Sequence, residues 1–431
     1  MSSTGGRDSA TVGGQLSTSG RVRAAFSLRR NLARIFVPPP GHLRPLDGLR
    51  ALSVLWVVLF HAGWYARFSL PLESWAKLAF SPWMLPIWRG DFGVDLFFVL
   101  SGFLIAGMLL DEHDRDGHVA LGLFYVRRLL RLWPALLLVA GLELFTDDPH
   151  RYMVWANVLY VNDFVPVGLV ALGWTWSLAI EEQFYLVCPW LLRAVYPLRT
   201  RDRLAVMAAL LATLVGIAAW VVVKNDIRPW DAEVVGQLDM GRWGFAFDVF
   251  YDKPWMRAGA LLAGVTAAIL FREPVFMDAL ARGGWLTGGL VVAAGAAMAM
   301  ATHWQVVLGE SRTVEIVYLA SFRTVFGVGA AFLLLVTLSS HSIGEGLART
   351  LSWRALFPFS QLAYAAYLVN PMVTMFVGRM LQREVAHGEE PLHLLVPWDL
   401  IGTFGCAAVI HVLVERPGME LRPRRAVWGS R

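Results

Sequence analysis

The strongest constraint on this chain is a series of long apolar runs. A helix that crosses a membrane needs about 20 consecutive, mostly apolar residues. Hydrophobic residues make up 56% of the chain and charged residues only 16%, against about 25% charged in soluble domains. The pattern predicts an all-α, polytopic integral membrane protein. Eleven runs are candidates: 49–66, 92–110, 130–147, 152–172, 177–196, 203–223, 256–271, 284–302, 315–338, 355–378 and 396–415.

The fourth run differs from the others because polar residues interrupt its middle. Asn157, Asn162, Asp163 and Pro166 all lie within it. We therefore expect a re-entrant or interfacial segment there and about ten transmembrane helices elsewhere. An even number of crossings places both ends of the chain on one side of the membrane.

The positive charges indicate which side that is. With ten crossings, the segments on the side of the termini hold 24 of the 38 Lys and Arg residues, the opposite segments hold 11, and three lie within spans. Loops rich in Lys and Arg stay in the cytoplasm. The sequence thus predicts a membrane protein with both termini cytoplasmic. This topology also explains why Lys and Arg outnumber Asp and Glu, so nucleic acid is not expected as a partner.

Three regions are expected along the chain. Residues 1–40 form a disordered, basic cytoplasmic tail, 41–418 a membrane domain, and 419–431 a basic C-terminal tail. The first residues are rich in Ser, Gly and Thr, which favours disorder. Residues 21–36 alternate basic and apolar, and either a short amphipathic helix on the inner leaflet or a plain basic tail fits them. Cys188 and Cys406 form no metal-binding CxxC pair, and no metal is expected.

The first apolar run carries a polar stripe. Asp47 and Arg50 are one helical turn apart, and His61 follows Arg50 by eleven residues. Since each residue advances a helix by about 100°, eleven steps return to nearly the same face, about 16 Å further along. Polar groups in an apolar helix should face the bundle interior or a wet cavity. Arg50 would then lie near the cytoplasmic mouth and His61 deep in the membrane.

The second run opens with two carboxylates on one face. Asp91 and Asp95 are four residues apart, and Asp95 lies far enough inside to need a partner. Ser101 could bond a backbone carbonyl of its own helix. Three glycines should allow close helix approach: Gly93, Gly102 and Gly107.

Basic and acidic side chains flank the next two runs. Arg127, Arg128 and Arg131 fit either an ordinary cytoplasmic flank or a site for phosphate, which arginine binds with two hydrogen bonds at once. Glu181 and Glu182 point about 100° apart, so only one can face the interior squarely.

These motifs in order resemble the membrane acyltransferase-3 family. The stretches are "LDGLR" with the later His61, "GVDLFFVLSGF", "RRLLRLWP", "WSLAIEEQFYL", "AYAAYLVNP" and "LVERP", and they extend from Arg44 to Pro417. The resemblance implies an O-acyltransferase of about ten helices. It would take an acyl group, often acetyl, from cytoplasmic acyl-CoA and deliver it to a glycan, glycolipid or other hydroxyl acceptor across the bilayer. The matching positions are Arg50, His61, Ser101, Gly102, Arg128, Arg131, Glu181 and Tyr185.

One position departs from the family pattern. Members commonly have His-Pro after "YL", whereas this chain has Asn370-Pro371. Asn can form hydrogen bonds but cannot exchange a proton near neutral pH. His61 is therefore the one histidine at a motif position.

The expected catalytic group follows from the resemblance and the residue types. His61 would act as general base or as a transient acyl carrier, with Glu181 or Asp95 fixing its tautomer. Acyl-CoA would bind through Arg50, Arg127, Arg128, Arg131 and Ser101. The acceptor side would be lined by Tyr185, Trp176, Ser177 and Asn370.

Two other classes fit parts of the pattern. A secondary transporter could use intramembrane Asp, Glu, His and Arg as a proton or substrate path. Transporters often consist of two related halves, and no such repeat is apparent here. A structural scaffold explains the apolar runs but not the polar stripe on the first helix.

Overall fold

The computed structural model describes residues 18–39, 43–69, 73, 77, 84–231, 239–303, 307, 309–381 and 392–423. Within these ranges the regular structure is entirely helical, which confirms the all-α prediction. Ten helices have 18 or more residues. They are α1 (Arg44–Ser69), α2 (Phe92–Asp116), α3 (Leu121–Glu143), α4 (Trp176–Val195), α5 (Thr200–Lys224), α6 (Pro254–Phe271), α7 (Gly284–Thr302), α8 (Arg312–Thr337), α9 (Leu356–Leu381) and α10 (Leu392–Ile410).

Shorter helical segments connect or extend these ten. The α-helical ones are Thr18–Ala25, Leu28–Phe36, Leu85–Trp88, Val154–Val158, Met240–Ala246, Pro274–Arg282, Ser342–Leu351 and Arg416–Leu421. Arg151–Met153, Asn162–Phe164 and Gly173–Thr175 form 3₁₀ turns. Phe247–Tyr251 and His411–Glu415 are single π-helical turns, a feature frequent at functional sites.

Seven of the long helices are apolar enough throughout to cross a membrane: α1, α2, α5, α6, α7, α8 and α10, the last together with its extension to Leu421. The protein is therefore a multi-pass membrane protein. The remaining three long helices, α3, α4 and α9, do not belong to this set; α3 and α4 each carry at least three charged residues. The figure of ten crossings stays a prediction.

The fourth apolar run forms no membrane-length helix, as its polar residues indicated. Between residues 151 and 175 the chain folds into short turns. The buried amide of Asn157 holds them together, donating to the Leu172 carbonyl oxygen at 3.0 Å and to Thr175 Oγ1 at 2.9 Å. A polar core of this kind satisfies backbone groups that a helix would otherwise pair. Its depth in the membrane stays a prediction.

The two described ends of the chain meet. Asn31 Nδ2, on the helix Leu28–Phe36, donates to the Val412 carbonyl oxygen at 3.1 Å. Arg30 pairs with Glu420 at 3.2 Å. Both ends therefore lie at the same end of the bundle, which fits an even number of crossings. Residues 21–36 lie mostly in two short helices, which agrees with a helix and not with a plain basic tail. The disorder expected for the first residues concerns residues 1–17, which lie outside the described residues.

The C-terminal boundary of the membrane domain was expected at residue 418. The helix Arg416–Leu421 runs across this boundary without a break, and its first residues, Pro417 and Gly418, are buried. The basic tail expected from 419 therefore begins as helix. Residues 424–431 lie outside the described residues.

A close helix crossing joins α2 to α6 through two glycines. A Cβ added to Gly102 would lie 2.1 Å from the Leu261 carbonyl oxygen, and one added to Gly264 would lie 2.2 Å from that of Val99. Small residues permit such backbone contact, which compensates for the missing hydrophobic driving force between helices in lipid.

The other two predicted glycine contacts have different outcomes. A Cβ on Gly93 would lie 2.6 Å from the Ser53 carbonyl oxygen of α1, so this expectation is confirmed. Around Gly107 no heavy atom of the described residues lies within 4 Å of an added Cβ, so the expected close approach there is wrong.

We expect Gly264→Val to destabilise the bundle strongly, because the added atoms would collide with the backbone of α2. Overpacking of this kind costs about 1–3 kcal/mol or more. Gly295→Val on α7 is the matched control, since its Cβ would meet open space. Thermal unfolding of the purified proteins in detergent measures both. Equal melting temperatures for the two variants would contradict the close crossing.

Candidate active site

A buried ion network lies inside the bundle. Asp95 Oδ2 on α2 accepts hydrogen bonds from Arg257 Nη1 of α6 at 3.0 Å and from Arg323 Nη1 of α8 at 2.7 Å. Arg323 also pairs with Asp91, one turn before Asp95. Asp95, Arg257 and Arg323 are each at most 4% exposed. The network ties three helices together and supplies the partner that Asp95 was predicted to need.

Aromatic rings enclose the same guanidinium groups. Arg257 lies 4.6 Å from the Trp176 ring centre and 4.3 Å from that of Tyr251. Arg323 lies 4.1 Å from the Phe92 ring centre. A cation over an aromatic face is attracted by the ring quadrupole, more strongly when water is excluded. Trp176 thus has a structural task besides any contact with an acceptor.

A cavity of about 330 Å³ opens beside this network. We refer to it as the aromatic cavity, because nine aromatic residues line it: Phe60, Trp64, Tyr65, Trp174, Trp176, Trp243, Phe247, Tyr251 and Tyr367. Its polar groups are few, and include His61, Asp91, Asp148 and Thr374. A mainly apolar cavity with a few convergent polar groups is the usual form of a small-molecule site.

His61 lies on the wall of the aromatic cavity and is held by Asn370. His61 Nδ1 and Asn370 Oδ1 are 2.7 Å apart. Asn370 itself is fully buried. The expectation that Glu181 or Asp95 orients His61 is wrong, because an amide occupies that place and both carboxylates are bonded elsewhere.

Ser177 lies behind the wall of this cavity. Its hydroxyl shares a short hydrogen bond with the hydroxyl of Tyr367, which also donates to the Trp174 carbonyl oxygen at 2.5 Å. Ser177 is 4% exposed. The two hydroxyls join α4 to α9 and position two rings of the aromatic cavity.

A second polar cluster surrounds Glu181. Ser101 of α2 and Tyr185 of α4 both donate short hydrogen bonds to Glu181 Oε1. The expectation that Ser101 bonds a carbonyl of its own helix is therefore wrong. Tyr185 does not line the aromatic cavity. Its ring lies 5.4 Å from the guanidinium of Arg128, on the donor side of the predicted site.

The third feature is a cavity of about 370 Å³ lined by arginines. We refer to it as the arginine-rich cavity. Four arginines and two glutamates line it, a net charge of 4 − 2 = +2: Arg127, Arg128, Arg416 and Arg422 against Glu112 and Glu420. Apolar Met108, Leu123 and Phe124 complete part of its wall.

The two cavities lie at opposite ends of α2. Val94 lines the aromatic cavity and Met108 the arginine-rich cavity, fourteen residues later. At about 1.5 Å per residue the two positions are about 21 Å apart along the axis. Ser101 is seven residues from each, so the Glu181 cluster lies halfway between the cavities.

The arginines of the arginine-rich cavity differ in how they are engaged. Arg127 Nε donates to the Pro423 carbonyl oxygen at 3.1 Å, and Arg416 pairs with Glu420 at 3.1 Å. Arg128 contacts the Met108 sulfur at 3.9 Å and the Phe124 ring, and within the described part of the chain it has no carboxylate partner. Its guanidinium is thus the one best placed to receive an anion.

Several arginines lie close to Arg422, which lines this cavity. Burial, together with repulsion from Arg131, Arg128 and Arg416, lowers the pKa of Arg422 to about 10. Burial and like charges both disfavour the charged guanidinium, and a bound anion would offset that repulsion. The cavity therefore favours an anionic occupant.

Arg50 and Arg131 do not line the arginine-rich cavity. Arg50 is 3.8 Å from Asp47, whose carboxylate also accepts a 2.9 Å hydrogen bond from Ser360. Arg50 is near enough to Arg131 and Glu181 to interact electrostatically. Arg50, Arg128 and Arg131, all predicted to bind the acyl donor, are therefore close enough to interact electrostatically with one another or with Glu181.

Several residues of these sites were not predicted from the sequence. Arg257 and Arg323 are single arginines inside apolar runs, and that signal pointed to buried partners without indicating which ones. Asp399 lies near the start of the last run, whose other carboxylate, Glu415, stands at its end, and it carried the same signal. Tyr367 lies in the quoted stretch "AYAAYLVNP", but its residue type gave no separate signal, because a tyrosine among apolar residues usually serves packing.

The fold and its cavities define a class: a helical multi-pass membrane protein with a histidine-containing cavity at one end of the bundle and a cationic cavity at the other. The sequence model of the acyltransferase-3 family, described as an acyltransferase domain, matches residues 44–414. The chain belongs to this family.

Curated relatives match part of the chain. A protein of Staphylococcus aureus strain COL, provisionally named an O-acetyltransferase, is 37% identical over 162 residues, covering 33% of this chain and 24% of the relative. The peptidoglycan O-acetyltransferase OatA of Listeria monocytogenes is 33% identical over 166 residues, 33% of this chain and 23% of the relative. YrhL of Bacillus subtilis, provisionally named a peptidoglycan O-acetyltransferase, is 33% identical over 189 residues, which cover 38% of this chain and 26% of the relative. The matches thus span about a quarter of these relatives' length. No solved structure matches the chain.

We expect Asp95→Ala to destabilise the protein, because two buried guanidinium groups would lose their shared carboxylate. Breaking a buried pair from one side costs about 3–5 kcal/mol. Asp202→Ala is the control, since the Asp202 side chain is 48% exposed and pairs only with an exposed arginine. Thermal unfolding in detergent compares them. A melting temperature for Asp95→Ala as high as that of the control would show that the network contributes little.

Proposed function

We propose that this protein is a membrane O-acyltransferase, most specifically an O-acetyltransferase. It moves the acyl group of acyl-CoA to a hydroxyl of a glycan, glycolipid or other acceptor. The observation that carries the proposal is the position of His61 in the aromatic cavity, within a bundle whose other end holds the arginine-rich cavity. Family membership and the printed activities of the relatives point the same way.

The arginine-rich cavity suits the donor. Coenzyme A carries several phosphate groups, and planar guanidinium groups bind phosphate with paired, charge-assisted hydrogen bonds. Arg128 would bind it directly, with Arg127, Arg131 and Arg50 adding to the positive field. The acyl group sits at the end of the long pantetheine arm. That arm would pass the cluster of Ser101, Glu181 and Tyr185 on the way to His61.

His61 would supply the proton transfer. Its Nε2 removes the proton of the acceptor hydroxyl as that oxygen attacks the thioester carbonyl carbon. The carbon–sulfur bond breaks, and the coenzyme A thiolate takes up the proton. In a second route Nε2 itself takes the acyl group, coenzyme A leaves, and the acceptor oxygen then attacks the acyl-imidazole.

The aromatic cavity suits a sugar acceptor. The face of a Trp ring packs well against the C–H face of a pyranose, and Asp91, Asp148 and Thr374 can bond its hydroxyls. Two of the relatives carry peptidoglycan in their names, so peptidoglycan fragments are the first acceptors to test.

Location follows from the charge asymmetry. We place the arginine-rich cavity and both termini at the cytoplasmic face of a bacterial inner membrane, where acyl-CoA is available, and the aromatic cavity towards the outer face. Radiolabelled acetyl-CoA given to membrane vesicles of known orientation tests both activity and sidedness. Label should enter alkali-labile envelope material only when acetyl-CoA reaches the cytoplasmic face. Labelling equal to that of vesicles from a deletion strain would refute the function.

We expect His61→Gln to lower acetyl transfer by about 10²- to 10⁴-fold, the usual contribution of a general acid or base. Glutamine keeps a hydrogen-bonding side chain but cannot take up a proton. His118→Gln is the control, because His118 is exposed on the segment after α2. Transfer rates in vesicles with matched protein amounts give the answer. Substantial activity in His61→Gln would remove His61 from the chemistry.

We expect Arg128→Ala to weaken coenzyme A binding by about 10- to 100-fold, since a charge-assisted hydrogen bond contributes about 1.5–3 kcal/mol. Arg282→Ala is the control, because that side chain is 79% exposed and pairs with Asp278 at the surface. Isothermal titration of coenzyme A into purified protein measures both variants. Unchanged affinity in Arg128→Ala would leave this arginine a purely topological role.

A further inference from the structure

A buried polar cluster lies behind Asn370, on the side away from His61. It consists of Thr374, one turn further along α9, and of Asp399 and Thr403 on α10. Asn370, Asp399 and Thr403 are fully buried and Thr374 is 2% exposed. Within the described part of the chain Asp399 has no cationic partner. A carboxylate buried at such cost in an apolar helix indicates a function.

The cluster determines which way the Asn370 amide points. Asn370 Nδ2 is 3.3 Å from both carboxylate oxygens of Asp399 and 3.2 Å from Thr403 Oγ1. Thr374 Oγ1 donates to Asp399 Oδ1 at 2.9 Å. The oxygens of an ionised carboxylate only accept hydrogen bonds. The amide nitrogen must therefore face Asp399, and the opposite orientation would bring oxygen against oxygen.

The orientation of the amide in turn determines the tautomer of His61. With its nitrogen towards Asp399, Asn370 presents Oδ1 to His61 Nδ1 at 2.7 Å. An amide oxygen only accepts, so Nδ1 must carry the hydrogen and Nε2 keeps a free electron pair. Tautomers are assigned from such networks of donors and acceptors. In the reversed orientation Nε2 would be protonated and could not act as a base.

We propose that Asp399 is a positioning residue for acyl transfer: through Asn370 it holds His61 in the tautomer whose Nε2 is free to take a proton or an acyl group. This inference rests on the proposed role of His61. Because Asn370 cannot exchange a proton, the chain of three residues transmits orientation and not a proton. It performs with an amide what a carboxylate does directly for the histidine of a hydrolase triad.

The first test reads the tautomer directly. Full-length protein with ¹⁵N-labelled histidine rings, in detergent micelles, gives nitrogen chemical shifts that distinguish protonated from bare ring nitrogens, and His61→Gln identifies the His61 signals. We expect protonated Nδ1 and bare Nε2 in the native protein. The asparagine in Asp399→Asn has nearly the same size as aspartate, but its amide can turn either its oxygen or its nitrogen towards Asn370. Both His61 tautomers should therefore appear. Identical ring signals in the two proteins would refute the proposal.

The second test separates positioning from folding. In membrane vesicles of the native host, which contain its own acceptor, Asp399→Asn should lower the maximal rate of acetyl transfer in proportion to the fraction of His61 in the other tautomer, about twofold where the two are equally populated. The KM for acetyl-CoA should stay unchanged, because the arginine-rich cavity lies at the other end of the bundle. Thr213→Val on α5 serves as control, since its exposed hydroxyl bonds only its own helix.

Each outcome has a definite meaning. An unchanged maximal rate in Asp399→Asn would refute the positioning role, even if the ring signals change. A fall in rate accompanied by an equal loss of coenzyme A affinity and of melting temperature would indicate a folding role and also refute it. If instead His61→Gln retains activity, the proposed function of His61 fails, whatever the ring signals of Asp399→Asn show.

Discussion

The buried pairing of Asp95 with Arg257 and Arg323 is the interaction on which the rest of this bundle depends. In lipid there is little hydrophobic gain from bringing helices together, so packing and polar bonds must do it. One carboxylate oxygen receives both guanidinium groups at 3.0 and 2.7 Å and so joins α2, α6 and α8. Through the Trp176 ring over Arg257, the same network supports the aromatic cavity.

The two cavities owe their separation to one uninterrupted helix. α2 begins at the ion network, passes the glycine crossing with α6 at Gly102, and reaches the arginine-rich cavity at Met108. Because a straight helix has a fixed rise, the distance between the two cavities is built into its length. Motions of surrounding loops can change access to each site without changing that distance.

Much of this arrangement could be predicted from the sequence. Apolar runs predicted the helices, and the helical period put Asp91 and Asp95 on one face, where both now pair with Arg323. The partners themselves could not be predicted, because periodicity defines a face but not the helix opposite. Asp95 and Arg257 are 162 residues apart. For the same reason His61 was expected to meet a carboxylate and meets Asn370 instead.

The Glu181 cluster has a consequence for the membrane as a whole. Ser101 and Tyr185 both bond to Glu181 halfway along the bundle, where a path between the two cavities would have to run. A permanently open aqueous path there would let ions leak and dissipate the gradients on which a cell depends. Hydrogen bonds that close this part of the bundle would keep the bilayer electrically insulated.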